Sequence, residues 1–319
     1  MKLSKFYELA VKFGLQNDLR TKKEIGEDIR KSKKMFNKLT SEEKKYFDKE
    51  LLRHPYSDTR ILYGDPDAEI KTVIAGIDME APELVLADRL REKGLPIDLV
   101  LSHHPEGKAL SGLTGVMRLQ EDMLCRLGLK RDIAKNINDE RISEVSRSLL
   151  ATNHDRAVSV AKLLDIPFMC AHTVADNHVA NYLQKMFDKE KPVKVKDVMK
   201  MLRTIPEYRF AMQISNGPAL IAGKENDKAG KIFVDMTGGT EGSKKVFARL
   251  SQAGVGTIVG MHFSEGHYSN AKSENINLIV AGHISSDNLG MNLLLDNIEK
   301  TEALNIIACS GFRRVKRDK

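Results

Sequence analysis

From residue 70 onward the chain alternates short apolar runs with helical patterns, and that alternation confines it to the α/β class. Candidate strands cover residues 72–77, 98–101, 167–171, 231–234, 257–261 and 277–281. Helical spacing covers 82–92, 118–127, 157–164, 243–253 and 287–298 between them. A further pair, 210–214 and 219–221, joined through Asn216-Gly217, reads as a hairpin. The charged, proline-bearing stretch 189–196 reads as a linker. It separates a first α/β lobe, 65–188, from a second, 197–311, able to pack back on the first. No internal sequence repeat is visible.

Residues 1–64 read as a helical extension. Phe6, Leu9, Ala10 and Phe13 keep helical spacing, and Met35, Phe36 and Leu39 continue an apolar stripe. Thr40-Ser41-Glu42-Glu43 has capping-box form and opens a helix carrying Tyr46, Phe47 and Leu51, which His54-Pro55 ends. His54 reads as a surface residue.

With 319 residues, 41% of them hydrophobic, the chain can bury a core without staples. The three cysteines, Cys125, Cys170 and Cys309, are isolated and lack metal-ligand spacing; they read as reduced core thiols. No signal-peptide layout and no long apolar run interrupts the pattern, so the expectation is a soluble, cytoplasmic protein. The net charge of +7 is concentrated at the ends. Residues 1–60 carry 16 Lys/Arg against 10 Asp/Glu, and the tail 312–319 carries five against one. Such ends read either as solvated faces or as a phosphate-binding surface.

The chemistry sits where strands end. Five of the nine histidines, His103, His104, His172, His262 and His283, directly follow candidate strands, and Asp78 follows the first. Ligands gather at the carboxyl ends of strands in open α/β sheets. In Ser102-His103-His104-Pro105 adjacent side chains diverge, so each histidine can face a different ion, which suits a dinuclear centre. His283 and Asp287 stand four apart at a predicted helix start, with Ser285 or Ser286 as cap, and a carboxylate can bridge two ions. Asp176 adds a carboxylate in a loop with His172, or else caps a helix from about 178 to 186. His172, His262, Glu265 and His267 are candidate proton shuttles or orienting groups. His154 reads as exposed. The loop Gly238-Gly239-Thr240-Glu241-Gly242 could cradle phosphate on its amides or be a plain turn.

Three segments together resemble the Nif-three-like family, often labelled GTP cyclohydrolase I type 2 homologues. They are Asp98-Leu99-Val100-Leu101-Ser102-His103-His104-Pro105, Ala171-His172-Thr173 with Asp176, and Ile276-Asn277-Leu278-Ile279-Val280-Ala281-Gly282-His283. The resemblance spans roughly residues 65–310. It implies two α+β lobes facing across a dinuclear site. The implied ligands are His103, His104 and Asp176, then His283 and Asp287, and the implied assembly is a ring-like homohexamer. This chain departs from the pattern in having Asp287 where the family carries Glu, a longer stretch between His104 and Ala171, and residues 1–60. The reading is a metal-dependent hydrolase holding two divalent ions (Zn, Mn or Fe) and acting on a small-molecule or nucleotide-like substrate through a metal-bridging water. The alternative is a non-catalytic metal-binding scaffold or regulator that touches nucleic acid through its basic ends.

Overall fold

The apolar runs form their strands, and the strands assemble into two sheets of one plan. The computed structural model describes residues 1–317. One sheet contains β1 (Thr59–Tyr63), β2 (Thr72–Gly76), β3 (Leu99–Ser102), β4 (Phe168–Ala171) and β9 (Asn305–Ala308). The other contains β5 (Ala219–Ala222), β6 (Lys231–Asp235), β7 (Val255–Gly260) and β8 (Asn277–Val280). Their orders are β1-β4-β3-β2-β9 and β5-β8-β7-β6. In each, three parallel strands carry an antiparallel edge, β1 on β4 and β5 on β8. The backbone therefore repeats where the sequence does not, and β9 is an addition to the first copy. Every residue of β2, β3 and β4 is buried, as strands covered on both faces require.

The Thr173–Glu190 and His283–Glu299 helices pack against each other, and the Leu3–Asn17 helix packs on both. They cross closely at Gly290, where an added Cβ would lie 2.5 Å from the carbonyl oxygen of Ala175. Leu3, Phe6 and Ala10 of the first helix are wholly buried, in one core with Val73, Leu99 and Leu294. Residues 1–64 thus supply β1 to the first sheet and a helix to its core, in addition to exposed helical surface.

Several expectations change. Residues 206–213 form a helix rather than the first arm of a hairpin: Pro206 occupies its first turn, and β5 pairs with β8 instead. The region after Thr40 is one short helix, Glu43–Tyr46, and a 3-10 turn, Lys49–Leu52. Its capping box does form, with Thr40 and Glu43 exchanging hydrogen bonds. His54 is buried, its Nε2 2.7 Å from Tyr7 Oη and its Nδ1 accepting from Tyr56 N–H. His154 is half-buried. The stretch 189–196 spans the end of one helix and the start of the next, and Val193 and Val195 bond back to Ala229 and Asp227.

The basic tail is folded onto acidic partners. Arg317 makes two hydrogen bonds to the buried Glu207, Arg314 pairs with Asp296 and Glu299, and Arg313 lies over the Phe210 ring. Its last two residues lie outside the described ones. No helix among the described residues is long and apolar enough to cross a membrane.

Candidate metal centre

Three strand ends converge on one point. Beyond β3 the backbone continues the pairing: His103 N–H donates to Gly76 and His104 N–H to Ile77. β4 and β8, equivalent strands of the repeated plan, each lead into one of the two packed helices. His172 and Asp176 stand four apart on the first, His283 and Asp287 four apart on the second. Asp176 lies inside its helix and caps nothing. The second helix is preceded by Gly282 at φ 110°, and Ser285 and Ser286 donate to the Gly282 carbonyl rather than capping amide groups.

Between them the side chains enclose a small polar space. His103 Nε2 lies 3.4 Å from Asp176 Oδ1 and 3.4 Å from Asp287 Oδ1. The other oxygen of Asp287 faces His104 Nε2 at 3.4 Å and His283 Nε2 at 3.6 Å. His172 Nε2 stands 3.7 Å from Asp176 Oδ2. The adjacent His103 and His104 therefore address different oxygens of one carboxylate.

These atoms fit a cation. His103 Nε2, Asp176 Oδ1 and both oxygens of Asp287 are buried without a hydrogen-bond partner, which is costly unless something else satisfies them. Two ligand atoms about 2.1 Å from one ion at a tetrahedral angle stand about 3.4 Å apart, which is the spacing found here. His103, His172 and Asp176 form one group that could hold an ion, and His103, His104 and Asp287 another.

Electrostatics marks the same frustration. Burial pushes Asp176 far above the carboxylate range, with Asp287 and Asp58 adding to it against His103. Burial also opposes the charge on Asp287, but His103, His104 and His283 overcome it and hold that carboxyl well below its usual range. Burial lowers His283 to about 4. His104 is drawn down by burial, yet Asp287 and Asp78 raise it to about 9.

The far side of three of the four rings is held. His172 Nδ1 lies 2.8 Å from Asp58 Oδ2, which also accepts from the Thr173 hydroxyl at 2.6 Å. His104 Nδ1 lies 2.6 Å from Asp78, and His103 Nδ1 3.2 Å from the Ala171 carbonyl oxygen. Such partners fix the tautomer and aim the opposite nitrogen inward. Sequence reading missed Asp58 because it missed β1, which Asp58 precedes.

A narrow cleft opens from His172, Asp176 and His283 towards Asp235, Glu241 and His262. His262 is half exposed, its ring 4.7 Å from that of His283 and its Nδ1 3.6 Å from Glu241. Burial pushes Glu241 up, but His262 and His267 hold it below the usual range. Of the other candidate shuttles, Glu265 is exposed on a helix start outside the cleft wall. His267 is buried, bonded to Ser264 and to the Gly242 carbonyl.

No family model matches the chain, and no curated protein does. Among solved structures it is similar to a NIF3 superfamily protein from Sphaerobacter thermophilus. Identity there is 28% over 82% of this chain and 93% of that one, with a TM-score of 0.70. It also matches reduced HcgD from Methanocaldococcus jannaschii at 16% identity, over 78% of this chain and 87% of that one, with a TM-score of 0.49. The first of these carries the argument, since its likeness spans both lobes. The chain thus shares its fold with a NIF3 superfamily protein, and that likeness supports a NIF3-like family.

Proposed function

We propose that the chain binds two divalent metal ions and uses them to hydrolyse a small-molecule or nucleotide-like substrate. The observation that carries this reading is the Asp287 carboxylate, buried and unpartnered, with each oxygen facing a different set of histidines. His103 and Asp176 belong with one oxygen, His104 and His283 with the other, and His172 is a further donor beside Asp176. Nitrogen and oxygen donors of this kind suit Zn, Mn or Fe(II). When bound, two such ions supply Lewis acidity and bring the pKa of a bound water near neutrality.

The chain's own residues do the rest. Asp58, Asp78 and the Ala171 carbonyl orient the three imidazoles, and the packed helices exclude water from behind the site. His262, half exposed at the cleft and beside Glu241, is placed to exchange a proton between substrate and solvent.

Elemental analysis of purified and metal-reconstituted protein tests the binding, and a panel of phosphoester, nucleotide and amide substrates tests the chemistry. Two ions per chain and turnover abolished by a chelator are expected. A metal-replete protein inert across the panel would replace the hydrolase with a metal-binding scaffold; a protein that takes up no metal would end both readings.

A further inference from the structure

The loop after β6 holds its carbonyls and leaves its amides free. Gln120 Nε2 donates to the carbonyls of Gly238, at 3.3 Å, and Thr240, at 2.6 Å. Arg141 donates to the Glu241 carbonyl and His267 to that of Gly242. Among the described residues, no backbone N–H from Thr237 to Gly242 donates to a protein acceptor. Gly239 to Gly242 are half-buried, and amides so placed take their acceptor from solvent or a ligand.

Their direction follows from the carbonyls. In a planar trans peptide C=O and N–H point opposite ways, and no peptide here is cis. With the Gly238 and Thr240 carbonyls fixed on Gln120, the N–H groups of Gly239 and Glu241 turn away from it. Gln120 lines a cavity on one side of the loop, with Met123 and Leu124. Gly239, Thr240 and Glu241 line the cleft of the metal centre on the other. The glycines make the turn possible: Gly238 and Gly239 have φ of 98° and 86°, and a Cβ on either would lie 2.8 Å from Gln120 or Val116.

We infer that the amides of Gly239 and Glu241 form an anion hole for a phosphoryl group, placed so that the rest of the substrate reaches the His172–Asp176–His283 end of the cleft. The second half of that statement rests on the metal-centre reading; the first does not. Successive amides turned into one concavity bind phosphate oxygens in this way. The Glu241 side chain does not compete, since its carboxylate stands between Arg141, at 3.5 Å, and His262, at 3.6 Å.

The test is a titration of the full-length, ¹⁵N-labelled protein with inorganic phosphate, in metal-reconstituted and chelator-treated forms, followed by amide shifts. The Gly239 and Glu241 amide protons should move downfield in both forms. In Gln120→Met, which cannot anchor the two carbonyls, phosphate affinity should fall at least about tenfold, the loss of one hydrogen bond to a charged group, with metal content unchanged. Phosphate shifts confined to the histidine cluster of the metal-loaded form would overturn the anion hole while sparing the metal centre. Loop shifts in a protein that takes up no metal would support the anion hole and refute the metal centre. Equal phosphate affinity in a folded Gln120→Met would also overturn the inference.

Discussion

Replacing Asp287 by asparagine keeps the side chain's shape and removes its charge. Because Oδ1 faces His103 and Oδ2 faces His104 and His283, one substitution strikes both ion positions. His283→Asn strikes only one. Elemental analysis should therefore fall from two ions per chain towards none in Asp287→Asn and to about one in His283→Asn. Asp287→Glu, with the carboxylate that the resembled family carries, should retain both. Thermal melts give an independent magnitude. A ligand at a hundredfold excess over its Kd stabilises by about 2.7 kcal/mol, so two ions add about 5.4 kcal/mol. An unfolding entropy of about 2.1 cal/mol/K per residue gives about 0.7 kcal/mol/K for this chain. Metal should then raise the wild-type Tm by about 8 °C. The comparison is made within each variant, with and without metal, so that any change in the metal-free baseline cancels. If Asp287→Asn keeps two ions, or gains the same 8 °C or so as the wild type, the carboxylate does not bridge.

Asp58→Asn weakens the acceptor that holds His172, and metal affinity measured by equilibrium dialysis should fall about 10–100-fold with unchanged stoichiometry at saturation; an unaltered Kd would leave Asp58 with no orienting role. Gly290→Ala puts a methyl group 2.5 Å from the Ala175 carbonyl oxygen. It should cost about 1–3 kcal/mol and loosen metal binding with it, and an undiminished Tm would refute the close crossing. Burial holds His54 below its ordinary pKa against the opposing pull of Glu50. The unfolded chain therefore takes up this proton first, and stability present above about pH 6.5 is lost as the pH falls, by at most about 1.4 kcal/mol per unit. Melts of metal-free His54→Gln between about pH 7 and 5 should be flatter than those of the wild type; parallel profiles would show that another group titrates.

What the sequence disclosed depended on how local each signal was. Buried parallel strands such as β2, β3 and β8 announce themselves, because both faces are apolar and the run is continuous. The histidines after them were legible for the same reason: a polar residue directly after such a run stands at a strand end. β1 and β9 were not, since both are only partly buried and mix polar with apolar residues. Losing β1 lost Asp58, whose partnership with His172 spans 114 residues. The false hairpin came from reading Asn216-Gly217 as a strand turn, when the preceding segment begins with Pro206 at a helical first turn. The repeated sheet plan was invisible because topology is conveyed by burial pattern, which many residues satisfy equally. For 238–242 the sequence leaves phosphate binding and a plain turn equally open, because the partner of its carbonyls is remote in the chain. Gln120 lies more than a hundred residues away.

β9 has a further consequence, for the time at which the first sheet can close. It pairs with β2 in parallel register, Asn305 against Thr72, across 233 residues. A ribosome adding about 5–20 residues per second needs roughly 10–45 s to cover that interval. Once β3 has been made, the apolar run Thr72–Gly76 has a neighbour on one side alone until β9 arrives, and an open apolar edge is a template for pairing with other chains. The first sheet is therefore still open while the second lobe is being synthesised. Any truncation before Asn305 makes that interval permanent.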